Sequence, residues 1–181
     1  EAEAARLRQL VLDLLDLSRL ESAPEPSAVT EMRKAIGLSL AAHRRAASAK
    51  ELGLSSDFSA VEGIDVYVHA DGTDMAVALD NLLANAVSYT ESGSVRVELS
   101  ADDTMVRFSV TDTGIGIPAG DLPRVFERFY RVDRSRTRDS GGTGLGLSLV
   151  RHVVESANGS VEITSTPGHG TTVTVTLPRA R

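Results

Sequence analysis

The chain of 181 residues has room for one domain of ordinary size and a short additional element. Hydrophobic residues make up 41% and charged residues 24%, a mixture typical of a folded globular domain, while the net charge of -6 argues against a general nucleic-acid-binding surface. The lack of cysteine excludes disulfides and cysteine metal sites. No apolar run approaches the roughly 20 residues of a membrane-spanning helix. Because the chain opens at Glu1 inside a helical pattern, we expect it to be part of a longer protein.

The start of the chain is predicted to be an amphipathic helix. Four leucines share the alternating three- and four-residue spacing of a coiled-coil seam: Leu7, Leu10, Leu14 and Leu17. The helix is predicted to end near Ser22, because the prolines that follow cannot continue its hydrogen bonding. We interpret residues 1–22 as one unit, 23–28 as a linker and 29–181 as the main domain. The alternative is a terminal helix that packs on its own domain.

The rest of the chain alternates between helical and strand patterns. The predicted elements are a helix at about 29–52 closed by Gly53, β-prone pieces at 54–58 and 66–68, a helix at 74–88, strands near 95–99 and 106–110, a helix at 147–157 stopped by Asn158 and Gly159, and strands near 161–163 and 173–177. The strands come in neighbouring pairs rather than alternating singly with helices. We therefore predict an α+β fold in which helices cover one face of a mixed, mostly antiparallel sheet, preceded by the N-terminal helix.

Polar groups suited to a ligand interrupt these patterns at three places. On the helix at 74–88, Asn81 and Asn85 lie one turn apart, so their amides project together. A glycine-rich stretch, Asp112–Pro118, follows a strand, and a second, Gly141–Ser148, opens a helix. Glycine lets successive N–H groups converge and a helix N-terminus adds partial positive charge, so the second stretch is suited to phosphate. Ordinary turns are the alternative for either stretch alone.

Two other nucleotide-binding patterns fit less well. Gly114, Gly116 and Ala119 formally match a dinucleotide-binding fingerprint, but Pro118 and the polar residues after it do not continue as the helix of that unit. The GxxxxGK[ST] pattern of a P-loop is absent.

A basic segment runs between the two glycine stretches. It is too poor in apolar residues to pack firmly, so we expect a mobile lid whose arginines neutralise a polyphosphate: Arg134, Arg136 and Arg138. For each arginine alone, a solvated loop is the alternative.

The order of these motifs resembles that of sensor histidine kinases. The matching segments are Asn81–Thr90 (N box), Asp112–Ile117 (first glycine box), Phe126–Arg131 (F box), Gly142–Leu147 (second glycine box) and Gly168–Thr172 (closing glycine-threonine element). In addition, Leu14–Glu21 looks like the end of the second helix of the family's dimerisation domain. The motifs span about half of the chain. The resemblance implies a Bergerat-type ATP-binding fold for residues 29–181 and the tail of a dimerisation helix for residues 1–22.

The resemblance also implies a role for each matching residue. Asn85 is expected to bind Mg²⁺ as a neutral oxygen ligand, with Asn81 supporting it as a second metal-site residue, and both are expected to be catalytic together with Arg131, which approaches the phosphates. Asp112 is expected to accept a hydrogen bond from the adenine amino group and Tyr89 to stack on the ring. The remaining expected ATP-binding residues are Gly114, Gly116, Gly142, Thr143, Gly144, Leu145, Gly146, Thr171 and Thr172.

Two departures from the family pattern change what is expected. Ser88 stands where the N box usually has lysine, so we expect an arginine to supply that phosphate contact. None of the four histidines lies in a phosphoacceptor context: His43, His69, His152 and His169. The chain is therefore expected to bind ATP without phosphorylating itself.

The resemblance implies partners as well as a cofactor. These are the protein's own phosphoacceptor domain in a homodimeric parent and a response regulator, but no nucleic acid, and the chain would be the cytoplasmic portion of a membrane-anchored sensor. Related ATPases have glutamate where Asn81 stands here, so phosphoryl transfer is favoured over hydrolysis. A degenerate nucleotide-binding regulatory module remains the alternative.

Overall fold

The computed structural model describes residues 2–22, 28–132 and 142–180. Its helices are α1 (Ala2–Glu21), α2 (Met32–Ala49), α3 (Gly72–Tyr89) and α4 (Gly146–Ser156), with 3₁₀ turns at Ser59–Val61 and Leu122–Arg124. Its strands are β1 (Val29–Glu31), β2 (Gly53–Asp57), β3 (Tyr67–His69), β4 (Ser94–Ala101), β5 (Met105–Asp112), β6 (Ser160–Thr166) and β7 (Gly170–Ala180). No helix in these ranges is long and apolar enough to cross a membrane.

The strands form one mixed sheet in the order β1-β3-β7-β5-β4-β2, with β6 also paired to β7. Strands β2 and β4 pair in parallel, whereas the other pairs are antiparallel. The pairing of β5 with β7 sets Asp112 opposite Thr171 and Thr111 opposite Thr172. This confirms the predicted mixed, mostly antiparallel sheet.

The core lies between one face of the sheet and the helices. Along β4, Val95, Val97 and Leu99 are buried whereas Arg96 and Glu98 between them are exposed. The alternation continues in β5, and α2, α3 and α4 supply the other half of the core. Neighbouring strand residues point to opposite faces, so this pattern means that helices cover a single face, as predicted.

The predicted helix at 29–52 was wrong at both ends. Its first three residues form β1, which pairs with β3, and α2 starts only after Glu31. The Glu31 carboxylate accepts hydrogen bonds from the N–H groups of Arg33 (3.0 Å) and Lys34 (2.6 Å), so it caps the helix. At the other end α2 stops at Ala49 with Lys50 as its C-cap, and Glu51 takes the left-handed conformation (φ 58°) expected of a helix-ending residue. Gly53 begins β2 rather than closing the helix.

The predicted stop of the later helix is confirmed. After α4 ends at Ser156, Asn158 adopts a left-handed backbone (φ 56°), and the N–H of Gly159 donates to the carbonyl of Val154 at 2.9 Å. Such a bond satisfies a carbonyl of the last helical turn.

Helix α1 packs on the domain through its second half. Leu17 (6% exposed) and Leu20 (5%) are part of the main core, whereas Leu7 (62%) and Leu14 (46%) are exposed. The leucine seam seen in the sequence is thus divided between two environments. Its C-terminal leucine, Leu17, is buried against the domain, whereas Leu7 near its start is exposed to solvent.

Candidate functional site

Asp112, the last residue of β5, is a buried carboxylate at one end of the site. Its Oδ1 accepts hydrogen bonds from the N–H groups of Gly114 (2.8 Å) and Thr171 (3.3 Å). The residue is 9% exposed, and burial raises the pKa of Asp112, an effect that the two backbone hydrogen bonds partly oppose. Because both donors use Oδ1, the other carboxylate oxygen can accept a hydrogen bond from a ligand.

The first glycine stretch passes too close to its neighbours for side chains. A Cβ on Gly114 would lie 2.3 Å from the carbonyl oxygen of Tyr89 at the end of α3, and the N–H of Ile115 donates to the same oxygen at 3.1 Å. Gly116 has φ +69°, and a Cβ there would lie 2.2 Å from the carbonyl oxygen of Thr166. The stretch is therefore held between the end of α3 and the β6–β7 turn, and both glycines are required by this close approach.

The second glycine stretch brings the start of α4 onto the amides of α3. A Cβ on Gly146 would lie 2.7 Å from Oδ1 of Asn81 and 3.7 Å from Nδ2 of Asn85. The Asn81 amide is oriented by donation from Nδ2 to the carbonyl of Val77 at 2.8 Å. A Cβ on Gly142 would lie 3.5 Å from the Tyr89 hydroxyl. The N-box residues and the second glycine box, about 60 residues apart in sequence, thus form one site.

The F-box segment lies against the same glycine stretch. The N–H of Phe129 donates to the carbonyl of Gly144 at 2.9 Å, and a Cβ on Gly144 would lie 2.8 Å from the carbonyl carbon of Phe129. Both residues have positive φ, 63° and 77°. Arg131 follows two residues later and is half-buried. The expected lid arginines at positions 134, 136 and 138 lie outside the described residues, as does Gly141.

The two candidate threonines of β7 point in different directions. Thr171 donates its N–H to Asp112, and its hydroxyl is 2.9 Å from that of Ser165. The hydroxyl of Thr172 instead lies 3.0 Å from that of Thr111. Since adjacent strand residues face opposite sides of a sheet, the structure brings Thr171 but not Thr172 to Asp112.

Two polar contacts near the site were not foreseen from the sequence. Asp13 of α1 accepts a hydrogen bond from the hydroxyl of Thr143 in the second glycine stretch. The Lys50 ammonium donates to the carbonyls of Val87 (2.8 Å), Ser88 (2.9 Å) and Thr90 (3.3 Å) at the end of α3. Both contacts join elements that are distant in the chain, so no local pattern indicates them.

The donors available for a metal ion are mainly neutral. Within residues 2–22, 28–132 and 142–180, no group of three or more His, Cys, Asp or Glu side chains is arranged to hold a metal ion. The amides of Asn81 and Asn85 offer oxygen atoms without charge. This set fits a hard cation whose remaining ligands come from an anionic ligand and water, as is usual for Mg²⁺ bound with substrate phosphates.

Comparison with known proteins agrees with the fold. Residues 70–181 match the family described as histidine kinase-, DNA gyrase B- and HSP90-like ATPase. The chain is 38% identical over 98% of its length to the sensor-like histidine kinase SenX3 of Mycolicibacterium smegmatis, and 39% identical over 96% to the phosphate regulon sensor protein PhoR of Pseudomonas aeruginosa. A crystal structure of full-length ShkA in complex with AMPPNP superimposes with a TM-score of 0.82 at 30% identity, covering 98% of this chain and 37% of ShkA.

The family match spans more than half of the chain. The chain therefore belongs to the histidine kinase-, DNA gyrase B- and HSP90-like ATPases, and it is an ATP-binding catalytic domain of the histidine-kinase type. It spans 46% of the length of the SenX3 relative and 39% of the PhoR relative.

Proposed function

We propose that the chain positions Mg-ATP for transfer of the γ-phosphoryl group to a histidine on a dimerisation domain of the parent protein, from which a response-regulator aspartate receives it. The observation that carries the proposal is the contact of Gly146 with Asn81 and Asn85. It sets a glycine-lined helix entrance, suited to phosphates, beside two amides suited to Mg²⁺.

Each residue has a role that its surroundings support. Asp112 accepts the adenine amino group, since one carboxylate oxygen already takes the two backbone N–H groups. Tyr89 stacks on the ring, and Thr171 contacts Asp112 at this end of the site. The segment from Gly142 through Thr143, Gly144 and Leu145 to Gly146 holds the triphosphate, and Arg131, two residues after the Phe129 that contacts Gly144, approaches the phosphates. Gly114 and Gly116 allow the first glycine stretch to pass close to the carbonyls of Tyr89 and Thr166 beside the nucleotide. Thr172 is the candidate that this geometry supports least.

These residues chiefly position the nucleotide and neutralise the charge of its phosphates. Asn85 supplies a metal-ligand oxygen and Asn81 orients the surroundings of that ligand. Bound Mg²⁺ would offset part of the phosphate charge. Because Asn81 is an amide, its position offers no carboxylate to activate water, and this favours transfer to a protein nucleophile over hydrolysis.

The phosphoacceptor is proposed to lie on another part of the parent. Of the four histidines, His43 is held by its Nδ1 contact with the carbonyl of Ser39 at 3.0 Å, on α2. His152 lies within α4, the helix that the second glycine stretch opens. We propose that residues 1–22 are the tail of the dimerisation helix, 23–28 the linker and 29–181 the catalytic domain of a homodimeric, membrane-anchored sensor.

A transfer assay tests the proposal. The chain is mixed with radiolabelled ATP, Mg²⁺ and a separately produced phosphoacceptor domain from a related kinase. Acid-labile label is expected on the acceptor domain and none on the chain itself. Asn85→Ala should remove transfer while leaving the thermal midpoint close to that of the wild type. Label on the chain alone would contradict the assignment of the acceptor.

The same mixture separates the alternative function. A degenerate regulatory module, for which Ser88 in place of the usual lysine is the only sequence feature, would bind Mg-ATP and transfer nothing to any acceptor domain. Absence of heat on titrating Mg-ATP into the folded chain would reject both functions.

A further inference from the structure

A buried carboxylate of α1 contacts the stretch that is proposed to hold the triphosphate. Asp13 is only 4% exposed. It accepts hydrogen bonds from Nε2 of Gln9, at 2.8 Å, and from the hydroxyl of Thr143. Thr143 lies between Gly142 and Gly144, so the carboxylate is one hydrogen bond away from the second glycine stretch.

The hydroxyl of Thr143 connects Asp13 to the start of α4. While it donates its hydrogen to Asp13, its oxygen accepts the N–H of Leu145 at 3.2 Å. Leu145 is the N-cap residue of α4. One backbone donor at the entrance of the helix is therefore engaged within the chain, and the Thr143 hydroxyl connects it to the Asp13 carboxylate.

Other contacts hold α1 in this position. Leu17 and Leu20 are buried in the core, Arg19 pairs with Asp74 at 2.6 Å, and Glu21 pairs with Arg128 of the F box. Asp13, Leu17 and Leu20 lie at i, i+4 and i+7 and so share one face of the helix. Burial of Asp13 is thus a consequence of docking along this whole face.

We propose that Asp13 sets the nucleotide affinity of the domain, because docking of α1 and binding of the triphosphate oppose each other. The inference rests on the proposed function. A triphosphate at the start of α4 brings like charge close to a buried carboxylate, where screening by water is weak, and it competes for the donor that Thr143 occupies. By linkage, nucleotide binding loosens the docking of α1 by the same factor by which docking weakens nucleotide binding.

Asp13→Asn isolates the charge. Asparagine keeps the size and one acceptor oxygen for Thr143, and the amide of Gln9 can turn to suit it. Mg-AMP-PNP should bind roughly five- to tenfold more tightly to this variant than to the wild type, within the range of site-to-site couplings. Asp16→Asn is the matched control, since it removes the same charge from the same helix at a residue that is not buried. The affinity of this control variant for Mg-AMP-PNP should equal that of the wild type.

Calorimetric titration with adenosine, Mg-ADP and Mg-AMP-PNP distinguishes an electrostatic effect of the substitution on phosphate binding from an effect on the fold. The ratio of wild-type to Asp13→Asn dissociation constants should be near one for adenosine, should rise with the number of phosphates, and should fall as salt is added. An equal ratio for all three ligands would show that the substitution acts through the fold. Unchanged or weaker Mg-AMP-PNP binding would overturn the inference.

Hydrogen exchange measures the reciprocal effect. Saturating Mg-AMP-PNP should increase exchange of the α1 amides in the wild type and increase it less in Asp13→Asn, and equal changes in both proteins would contradict the linkage. A wild-type chain that binds no nucleotide would reject the proposed function itself, whereas binding without a difference at Asp13 would reject this inference alone.

Discussion

Replacement of Asp112 by asparagine changes one side-chain group and is expected to affect nucleotide binding and the stability of the fold in different directions. In the wild type, Oδ1 takes the N–H groups of Gly114 and Thr171, and the second oxygen is proposed to accept the adenine amino group. If the amide oxygen of the variant side chain stays on the two backbone donors, its NH₂ group faces the adenine amino group, so two donors meet. The loss of a charge-assisted hydrogen bond is worth about 1.5 to 3 kcal/mol, or roughly ten- to a hundredfold in affinity.

The stability of Asp112→Asn should move in the opposite direction. Burial raises the pKa of Asp112 above its unfolded value, so ionisation in the folded state costs free energy. The stability contribution of the protonated acid is present below the unfolded pKa and is lost as pH rises through the folded pKa. The asparagine variant has no proton to lose. Its free energy of unfolding relative to the wild type should therefore rise with pH and level off above the folded pKa of Asp112.

Asp102→Asn is the control with the opposite sign. Asp102 lies exposed in the β4–β5 turn, where hydrogen bonds from the N–H groups of Thr104 and Met105 lower its pKa. It stabilises the fold above its unfolded pKa, and this contribution is lost as pH falls through the folded pKa. The variant should lose stability at neutral pH, approach the wild type in acid, and bind nucleotide normally.

Calorimetry with Mg-AMP-PNP and urea denaturation over a range of pH measure both effects. Wild-type nucleotide affinity in Asp112→Asn would refute the assignment of Asp112 to adenine. Nucleotide affinity lost together with stability would instead show that the carboxylate mainly holds the first glycine stretch.

Three further substitutions test the site. Gly114→Ala sets a Cβ 2.3 Å from the Tyr89 carbonyl oxygen, so denaturation should show a loss of about 1 to 3 kcal/mol, whereas Gly120→Ala, with no atom within 4 Å, should show little change. Lys50→Met removes a cation from the carbonyl end of α3 and should cost about 1 kcal/mol, with exposed Lys34→Met as control; equal stability of the two would contradict this role. Arg131→Ala should weaken Mg-AMP-PNP binding roughly tenfold without altering adenosine binding, and an unchanged Mg-AMP-PNP dissociation constant would remove Arg131 from the phosphate site.

Local chemistry made much of the architecture predictable. Residue spacing predicts helix α3 and the alternating strands β4 and β5. The end of α4 follows from the left-handed backbone conformation that asparagine tolerates at position 158. The ordered motifs likewise indicated the fold and the family, because the glycines mark places where backbone must approach closely. Each of these signals is visible in the sequence before the packing of the segments is known.

Tertiary structure decided the contacts that join distant segments. Val29 to Glu31 became a strand because β3 was available to pair with it, which overrode the helical pattern around them. The partnership of Asp13 with Thr143, 130 residues away, is likewise invisible along the sequence. Side-chain hydrogen bonds of this kind depend on the relative position of whole elements, which is set by burial of the core, whereas the sequence by itself determines the elements and the residue types that they present.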